Sequence, residues 1–374
     1  MKYDSDSFNY EDESSSDEVF ISFGGDSGHS GPNSKSSARN LITDAPAPWL
    51  TNFTFEHSNS SIQNLHCECL EFCRFISLTE EELASRSTVM NEIQVIINDV
   101  FPNTPLQHFG SQLSKTLTPS SDLDLVIMNI DVKDPLSVLA QHIKAANIVS
   151  YLEIIASAKV PIVKFDHRDT GISVDILVNN DDGLTTGKLI QRLSREFPPL
   201  RPLIIILKMF LSQRKLNDTY TGGVGSFVLS VMIVSFLQHR QKILAFQQLS
   251  SATWNLGSLL IEFFYLYGVT FNYEDVGISI TNGGSYFQKR SRNGDWWNPQ
   301  RWVCTSYTYM LQFSTLSSGS SVILLMIFLV PVCRPNLLAV ENPNYPEVDM
   351  GRSSFNMYVG NLFHATTRNF VTAD

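Results

Sequence analysis

Five residues in the first half of this chain have the types and spacing to bind phosphate and divalent cations. Gly110-Ser111 is followed, after ten intervening residues, by Asp122 and Asp124, and Asp175 comes about fifty residues later. Side chains two positions apart on a β-strand point to the same face, so Asp122 and Asp124 would share one small space. Crowded carboxylates repel one another unless cations neutralise them, and their hard oxygens suit Mg²⁺ or Mn²⁺. The pattern predicts a catalytic site in which the three carboxylates bind a pair of divalent cations.

Gly110-Ser111 suits the phosphate half of such a site. Glycine permits close approach of the backbone, and N–H groups beside a short hydroxyl can hold an anion. Two aspartates separated by one residue are common in proteins and usually mark only a solvated strand end. Here the apolar run 125–128 follows the pair, and a second acidic strand carries Asp175. That combination favours a functional site over the ordinary interpretation.

The elements that must position these residues can be predicted from the apolar spacing. Residues 61–78 have the period of an amphipathic helix, and Thr79 with Glu82 forms the capping-box signature of a second helix, which extends to about residue 98. The next segment predicts four strands and one helix. The strands are expected at 106–110, 122–130, 159–166 and 172–178, and the helix near 135–146.

After residue 183 the pattern changes to apolar runs of helical length, which predicts a mainly helical second half. These runs cover 185–196, 199–216, 224–239 and 255–267. The expected fold class is therefore α+β, with a small mixed β-sheet domain and a mainly helical domain. Two domains of different class leave a cleft between them, and ligands usually bind in such clefts.

Charge is distributed unevenly along the 374 residues, whose net charge is -10. Residues 1–48 contain nine acidic residues, three basic residues and eleven serines, which predicts a disordered tail. Residues 188–215 contain seven basic residues and one acidic residue, which suits polyphosphate or RNA, although a solvated helix face accounts for about half of them. In that segment Lys208 follows the apolar run 203–207, so its ammonium should need an anionic partner.

Three residues near the start of the chain raise the alternative of a zinc site. His66, Cys69 and Cys73 are spaced i, i+3 and i+7 and would lie on one helical face. Cysteine commonly acts as a small core residue, so burial is favoured over metal binding. The five cysteines of the whole chain are consistent with a reducing compartment.

Taken together, the motifs resemble the DNA polymerase β-like nucleotidyltransferases, and among them the noncanonical poly(A) polymerases of the Trf4 type. The resemblance extends from about residue 48 to about residue 370 and is interrupted once. Its blocks follow the family's order and are Leu65-His66, Glu71-Phe72, Phe109-Gly110-Ser111, 121–126, 159–165, 170–176, 221–223, 255–257, 260–264, 271–273 and 351–354.

The resemblance implies a domain organisation and a reaction. Residues 1–48 would be the tail, 49–83 a helical segment packing on the central domain, 84–182 the nucleotidyltransferase (palm) domain and 183–374 a helical poly(A)-polymerase-associated domain. The reaction would be template-independent transfer of AMP from ATP to an RNA 3′-hydroxyl, with release of pyrophosphate, in RNA surveillance and 3′-end processing. A terminal uridylyltransferase and a catalytically impaired scaffold are the alternatives.

The resemblance also implies roles for individual residues. The catalytic residues and metal ligands would be Asp122, Asp124 and Asp175. The nucleotide-binding residues would be Gly110, Ser111, Lys208, Ser226, Phe227, Asp349 and Arg352.

The chain departs from the family pattern in three places. The family usually has a glycine in the turn where this chain has residues 112–116, so the turn is either strained or has gained a cation that faces phosphate. Relatives often have asparagine at the position of Val348, which changes the expected selectivity for the base. Residues 303–333 have no counterpart, and we interpret them as a retained intron or a misassigned exon boundary, or else as a loop that covers the cleft.

Partners and location follow from the resemblance alone. It implies an RNA 3′ end and ATP as substrates, a zinc-knuckle RNA-binding protein and an RNA helicase as partners, and a nuclear or nucleolar location. No membrane partner is expected, because the apolar run 322–330 would span only about 14 Å as a helix, against a hydrocarbon core of about 30 Å.

Overall fold

The structure is a computed structural model that describes residues 47–51, 53–55, 60–156, 160–247, 254–292, 296 and 338–354. The predicted tail lies almost wholly outside these residues, and the segment 303–333 lies entirely outside them. Within the described residues the fold class is α+β, as predicted, with a five-stranded mixed sheet followed by a mainly helical region.

The sheet places β2 beside β5. Its strands are β1 (Gln107–His108), β2 (Leu123–Ile127), β3 (Val149–Ile155), β4 (Ile162–His167) and β5 (Ser173–Val178). Their order across the sheet is β1-β2-β5-β4-β3. The β2–β5 pair is parallel, and the other three pairs are antiparallel. A parallel pair needs a long crossover, and here it contains a helix and the β3–β4 hairpin.

The two faces of the sheet differ because side chains alternate along each strand. Leu123, Leu125 and Ile176 point into a core closed by two helices. These helices are α2 (Glu80–Val100) and α4 (Pro135–Ala145). The alternate positions, which include both Asp124 and Asp175, point to the opposite face.

Helix α2 begins as the sequence predicts. The Thr79 Oγ1 accepts a hydrogen bond from the Glu82 N–H at 3.2 Å, and the Glu82 carboxylate accepts one from the Thr79 N–H at 2.7 Å. This reciprocal capping box confirms the predicted helix start.

The helical region is built from α1 (Ser61–Phe75), α5 (Asp182–Glu196), α6 (Leu200–Ser212), α7 (Ser226–Phe246) and α8 (Leu256–Tyr265). Helix α1 packs against α6 and α8. The His66 Nδ1 accepts a hydrogen bond from the Leu256 N–H at 3.0 Å, and Cys69 is fully buried in the shared core. Both residues therefore hold helices together, and no zinc-like group occurs among the described residues.

Four of these elements were not predicted. The strand β3 lies at the sheet edge, where most of its side chains are partly exposed and show no clear alternation. The hairpin of β6 (Val276–Ser279) and β7 (Ser285–Gln288) has strands of only four residues. A short helix, α3 (Gly110–Ser114), occupies a segment that was expected to be a strand end and loop. None of the helices among the described residues has both the length and the apolar character needed to cross a bilayer.

Candidate active site

The structure brings the three predicted carboxylates together. Asp124 and Asp175 are register partners on the parallel strands β2 and β5, so their side chains leave the same face side by side. Asp122 immediately precedes β2. The buried Arg86 holds its backbone in place, because the Arg86 Nη1 donates a hydrogen bond to the Asp122 carbonyl at 3.4 Å. The three side chains therefore lie close together as expected, although Asp122 lies just before the strand and not on it.

Lys164 links two of these carboxylates and was not singled out in the sequence. Its Nζ lies 3.1 Å from Asp122 Oδ2 and 3.1 Å from Asp175 Oδ1. It lies on β4 opposite Asp175 in the register, between the core residues Val163 and Phe165. A lysine flanked by apolar residues on a strand was the available signal, but nothing in the sequence shows that β4 pairs with β5.

The carboxylates retain more negative charge than Lys164 neutralises. Burial, with Asp175 and Asp122 as neighbours, raises the pKa of Asp124 to about 6. Burial also raises the pKa of Asp175, although Lys164 acts against this. For Lys164 itself burial acts to lower the pKa, but the two aspartates outweigh it and raise the pKa above its ordinary value. Additional positive charge would stabilise this group.

Gly110 is required by its contact with Asp124. Its φ is +57°, and a Cβ at this position would lie 2.1 Å from Asp124 Oδ2. The neighbouring Phe109 N–H donates to the Asp124 carbonyl at 3.1 Å, and the Ser111 N–H bonds the Asp124 carboxylate. Only glycine allows α3 to begin against the carboxylate.

A cleft of about 440 Å³ separates the sheet from the helices α5, α6 and α7. Its size suits a small-molecule ligand. Further polar groups, which sequence analysis missed, are the side chains of Thr116, Thr186, Asn217 and Ser230. Seven of the ten predicted site residues line it: Gly110, Ser111, Asp122, Asp124, Lys208, Ser226 and Phe227. Asp175 is not among the lining residues and lies beside the cleft as the register partner of Asp124.

Lys208 contributes a partly buried positive charge to the helical wall of the cleft. Burial lowers its pKa, while Asp124 and Asp122 act in the opposite direction. Among the described residues, no carboxylate lies within ion-pair distance of its ammonium. An anionic ligand in the cleft would supply the partner that a buried ammonium requires.

Asp349 and Arg352 are not brought to the cleft. Neither residue is among those that line it. The Asp349 Oδ1 instead accepts hydrogen bonds from the Val340 N–H at 3.0 Å and the Gly351 N–H at 2.8 Å. Asp349 thus shapes its own loop, and nucleotide binding by these two residues stays a prediction.

The turn that lacks the family's glycine contains Lys115. Its φ is +58°, in the left-handed region, and its side chain is exposed. The left-handed conformation costs a residue with a Cβ about 1 kcal/mol. The turn is therefore strained, and Lys115 is not among the residues that line the cleft.

The donor set fits a hard divalent cation. Mg²⁺ is usually held by one or two carboxylates together with waters and substrate phosphates, not by a cage made wholly of protein. Among the described residues no group of three acidic, histidine or cysteine side chains forms such a cage. The paired Asp124 and Asp175, with excess negative charge beside an open cleft, match the one-or-two-carboxylate arrangement.

The chain matches known proteins over both its sheet and its helical region. Residues 65–195 match the family described as poly(A) RNA polymerase, mitochondrial-like, central palm domain. Residues 255–304 match the Cid1 family poly A polymerase. A solved structure of the polymerase core of TRAMP, a RNA surveillance complex, has a TM-score of 0.67 and 29% identity, and the match covers 87% of this chain and 90% of that one.

Two curated relatives are also similar in sequence. Poly(A) RNA polymerase CID14 of Cryptococcus neoformans is 36% identical over 295 residues, which cover 78% of this chain and 38% of that protein. Poly(A) RNA polymerase cid14 of Schizosaccharomyces pombe is 36% identical over 279 residues, which cover 73% of this chain and 40% of that protein. The chain spans about two fifths of the length of these relatives. With the paired carboxylates on a mixed sheet, the matches establish that the chain belongs to the noncanonical poly(A) polymerases of the Trf4 type, within the DNA polymerase β-like nucleotidyltransferases.

Proposed function

We propose that the chain transfers AMP from ATP to the 3′-hydroxyl of RNA and releases pyrophosphate. The observation that carries this proposal is the register pairing of Asp124 with Asp175 at a cleft that also contains Lys208. One wall offers carboxylates for cations, and the other offers an ammonium for a triphosphate. The relatives named above are poly(A) RNA polymerases, which supports adenylyl transfer over other nucleotidyl transfers.

The two walls of the cleft would bind different parts of the substrate complex. Asp122, Asp124 and Asp175 would hold the divalent cations, which when bound lower the pKa of the attacking hydroxyl and neutralise the leaving pyrophosphate. Lys208 and the exposed Ser226 would bind the triphosphate from the helical wall. Gly110 and Ser111, at the start of α3, line the same cleft and would also bind the triphosphate.

Phe227 would position the base. Its side chain is half-buried against the helical core and lines the cleft next to Ser226. An aromatic ring in this position offers a face for stacking. Stacking alone does not distinguish adenine from uracil, so base selectivity must be measured directly.

The test is primer extension with the purified chain, a short labelled RNA, Mg²⁺, and either ATP or UTP. The double variant Asp122→Asn/Asp124→Asn should lose at least about 10³-fold in extension rate, since both carboxylates act on developing charge. Asp134→Asn is the matched control, because Asp134 is exposed at the start of α4, on the opposite face of the sheet from the carboxylates. Equal extension by wild type and the double variant contradicts the proposal.

The same experiment separates the alternatives. Preferential use of UTP would identify a terminal uridylyltransferase. No extension with either nucleotide, together with no thermal stabilisation by ATP and Mg²⁺, would identify a scaffold, because a ligand that binds the folded state must stabilise it.

We also propose that the protein acts in the nucleus with a zinc-knuckle RNA-binding protein and an RNA helicase. The net charge of -10 disfavours strong binding of RNA by the whole chain unaided. The TRAMP polymerase core supports this proposal as a similar structure from an RNA surveillance complex. Microscopy of the tagged protein and mass spectrometry of co-purified proteins test both parts, and a purely cytoplasmic signal contradicts the first.

A further inference from the structure

The outer face of α5 carries a stripe of three cations. Lys188, Arg192 and Arg195 are all exposed, and their spacing of i, i+4 and i+7 places them on one helical face. At a rise of 1.5 Å per residue the stripe is about 10 Å long.

The stripe flanks the cleft. Gly187 lines the cleft, and a Cβ there would lie 2.8 Å from the Leu113 side chain of α3. One turn later the Gln191 Nε2 donates to the Leu113 carbonyl at 3.5 Å. Lys188 and Arg192 each follow one of these contact residues, so they lie on the exposed flank beside the α3–α5 contact.

Two more cations continue the stripe around the end of α3. The Arg201 Nε donates to the Lys115 carbonyl at 2.6 Å, and both side chains are exposed. Lys115 stands between Ser114 and Thr116, which line the cleft. The five cations thus border the cleft on its α3–α5 side, and we call them the basic rim.

The basic rim is not neutralised by the protein. Within the part of the chain that the structure describes, none of its five side chains lies in an ion pair. Elsewhere on the surface cations do find partners, as in Arg240 with Glu262 and Arg290 with Asp275. Five unpaired cations close together repel one another, and a polyanion bound along the rim would relieve this repulsion.

We infer that the basic rim binds the phosphodiester backbone of the RNA upstream of its reacting 3′ end. The inference rests on the proposed function, since it assigns the RNA substrate a path out of the same cleft. Lysine and arginine at exposed positions contact phosphates without reading bases, so the rim accepts any sequence. The rim borders the cleft that binds the nucleotide, so it adds contacts to the RNA without changing how ATP is bound.

The test measures RNA binding separately from catalysis. The Kd of a labelled single-stranded RNA is determined by fluorescence anisotropy, without ATP or divalent cations, for wild type and for Lys188→Gln/Arg192→Gln. The matched control is Lys133→Gln/Lys144→Gln, which removes the same charge from exposed positions at α4, on the opposite face of the sheet. All four side chains are exposed, so the variants should fold, and circular dichroism verifies this.

The rim variant should raise the Kd by about tenfold, and the slope of log Kd against log salt should fall by about 1.4, or 0.7 for each lost phosphate contact. The control should bind like wild type. In extension assays the rim variant should raise the KM for long RNA, leaving the KM for ATP and the extension of very short RNA unchanged.

Two results would overturn the inference. Equal Kd values for the rim variant and the control show that the rim does not bind RNA. A raised Kd with an unchanged salt slope shows that the rim makes no phosphate contacts. Rim-dependent binding without any extension contradicts the proposed function alone, whereas extension with rim-independent binding contradicts this inference alone.

Discussion

Two clusters of charged residues, one at the cleft and one around Glu341, differ in how far the protein supplies partners for their carboxylates. At the cleft, burial and neighbouring carboxylates raise the pKa values of Asp124 and Asp175. Lys208 acts against this at Asp124 and Lys164 acts against it at Asp175, but neither cancels the rise. In the segment 338–354, Glu341 is only 3% exposed yet fully satisfied, since it pairs with Arg292 and accepts a hydrogen bond from Ser279 at 2.7 Å. The first cluster is arranged to receive a cation, and the second is arranged to hold a loop in place.

The surroundings of the two clusters explain the difference. Arg292 lies over the rings of Phe287, at 3.7 Å, and Trp296, at 5.1 Å, so its charge is fixed beside Glu341. The cleft offers its carboxylates one shared lysine and open space. Acidic residues therefore indicate a ligand site only where the protein leaves them without enough internal partners.

The largest expected effect on stability is at Glu341. Glu341→Gln should lower the free energy of unfolding by about 3 kcal/mol, because it leaves Arg292 beside a buried neutral group. Urea denaturation measures this, with Asp275→Asn in the exposed Arg290–Asp275 pair as the control, for which a loss below about 1 kcal/mol is expected. Equal losses at the two sites would contradict the assignment of Glu341 to loop structure.

Asp124→Asn should raise the free energy of unfolding when no metal is present, which is the opposite of the effect at Glu341. The folded-state pKa of about 6 lies above the ordinary value of 3.8, so between these pH values the folded protein binds more protons than the unfolded chain. Wild-type stability therefore falls as pH rises through that window, and the loss persists at neutral pH.

In the absence of metal, Asp124→Asn should be more stable than wild type by about 2 kcal/mol at neutral pH, somewhat less than the pKa shift implies because the amide is also desolvated. The gain should vanish below about pH 4. Thermal unfolding across this pH range measures it. A variant less stable than wild type at neutral pH would mean that the cleft carboxylates are as well satisfied as Glu341.

The smallest expected effect is at Lys164. Without metal, Lys164→Met should destabilise the protein by about 1 kcal/mol, a modest value because the side chains of Lys164 and Asp122 are 33% and 42% exposed. Mg²⁺ with a non-hydrolysable ATP analogue should shrink this difference, since cations then neutralise the same carboxylates. Lys144→Met is the surface control. A difference that Mg²⁺ does not change would show that Lys164 is a structural partner like Arg292.

Much of the site follows from local rules. The alternation of side chains along a strand was enough to place Asp124 opposite the core, and the apolar run behind it predicted the buried face of β2. The capping box at Thr79 could also be predicted from local sequence, because its two partners are only three residues apart. The edge strand β3 escaped prediction because its side chains are half exposed.

The roles of Lys164 and the basic rim depended on partners far along the chain. Lys164 bonds Asp122 across 42 positions, and the Arg201 bond to Lys115 spans 86. Asp349 has the same side chain as Asp124, but short backbone hydrogen bonds turn it inward.

Local patterns were enough to predict the order of the long helices and of strands β2, β4 and β5, and the face on which Asp124 lies, because these depend on neighbours within a few positions. The tertiary fold alone set the parallel pairing of β2 with β5, which aligns Asp124 with Asp175. It also decided which charges find partners, because an ion pair or a buried carboxylate depends on distance and solvent exclusion, and no local pattern specifies either of these.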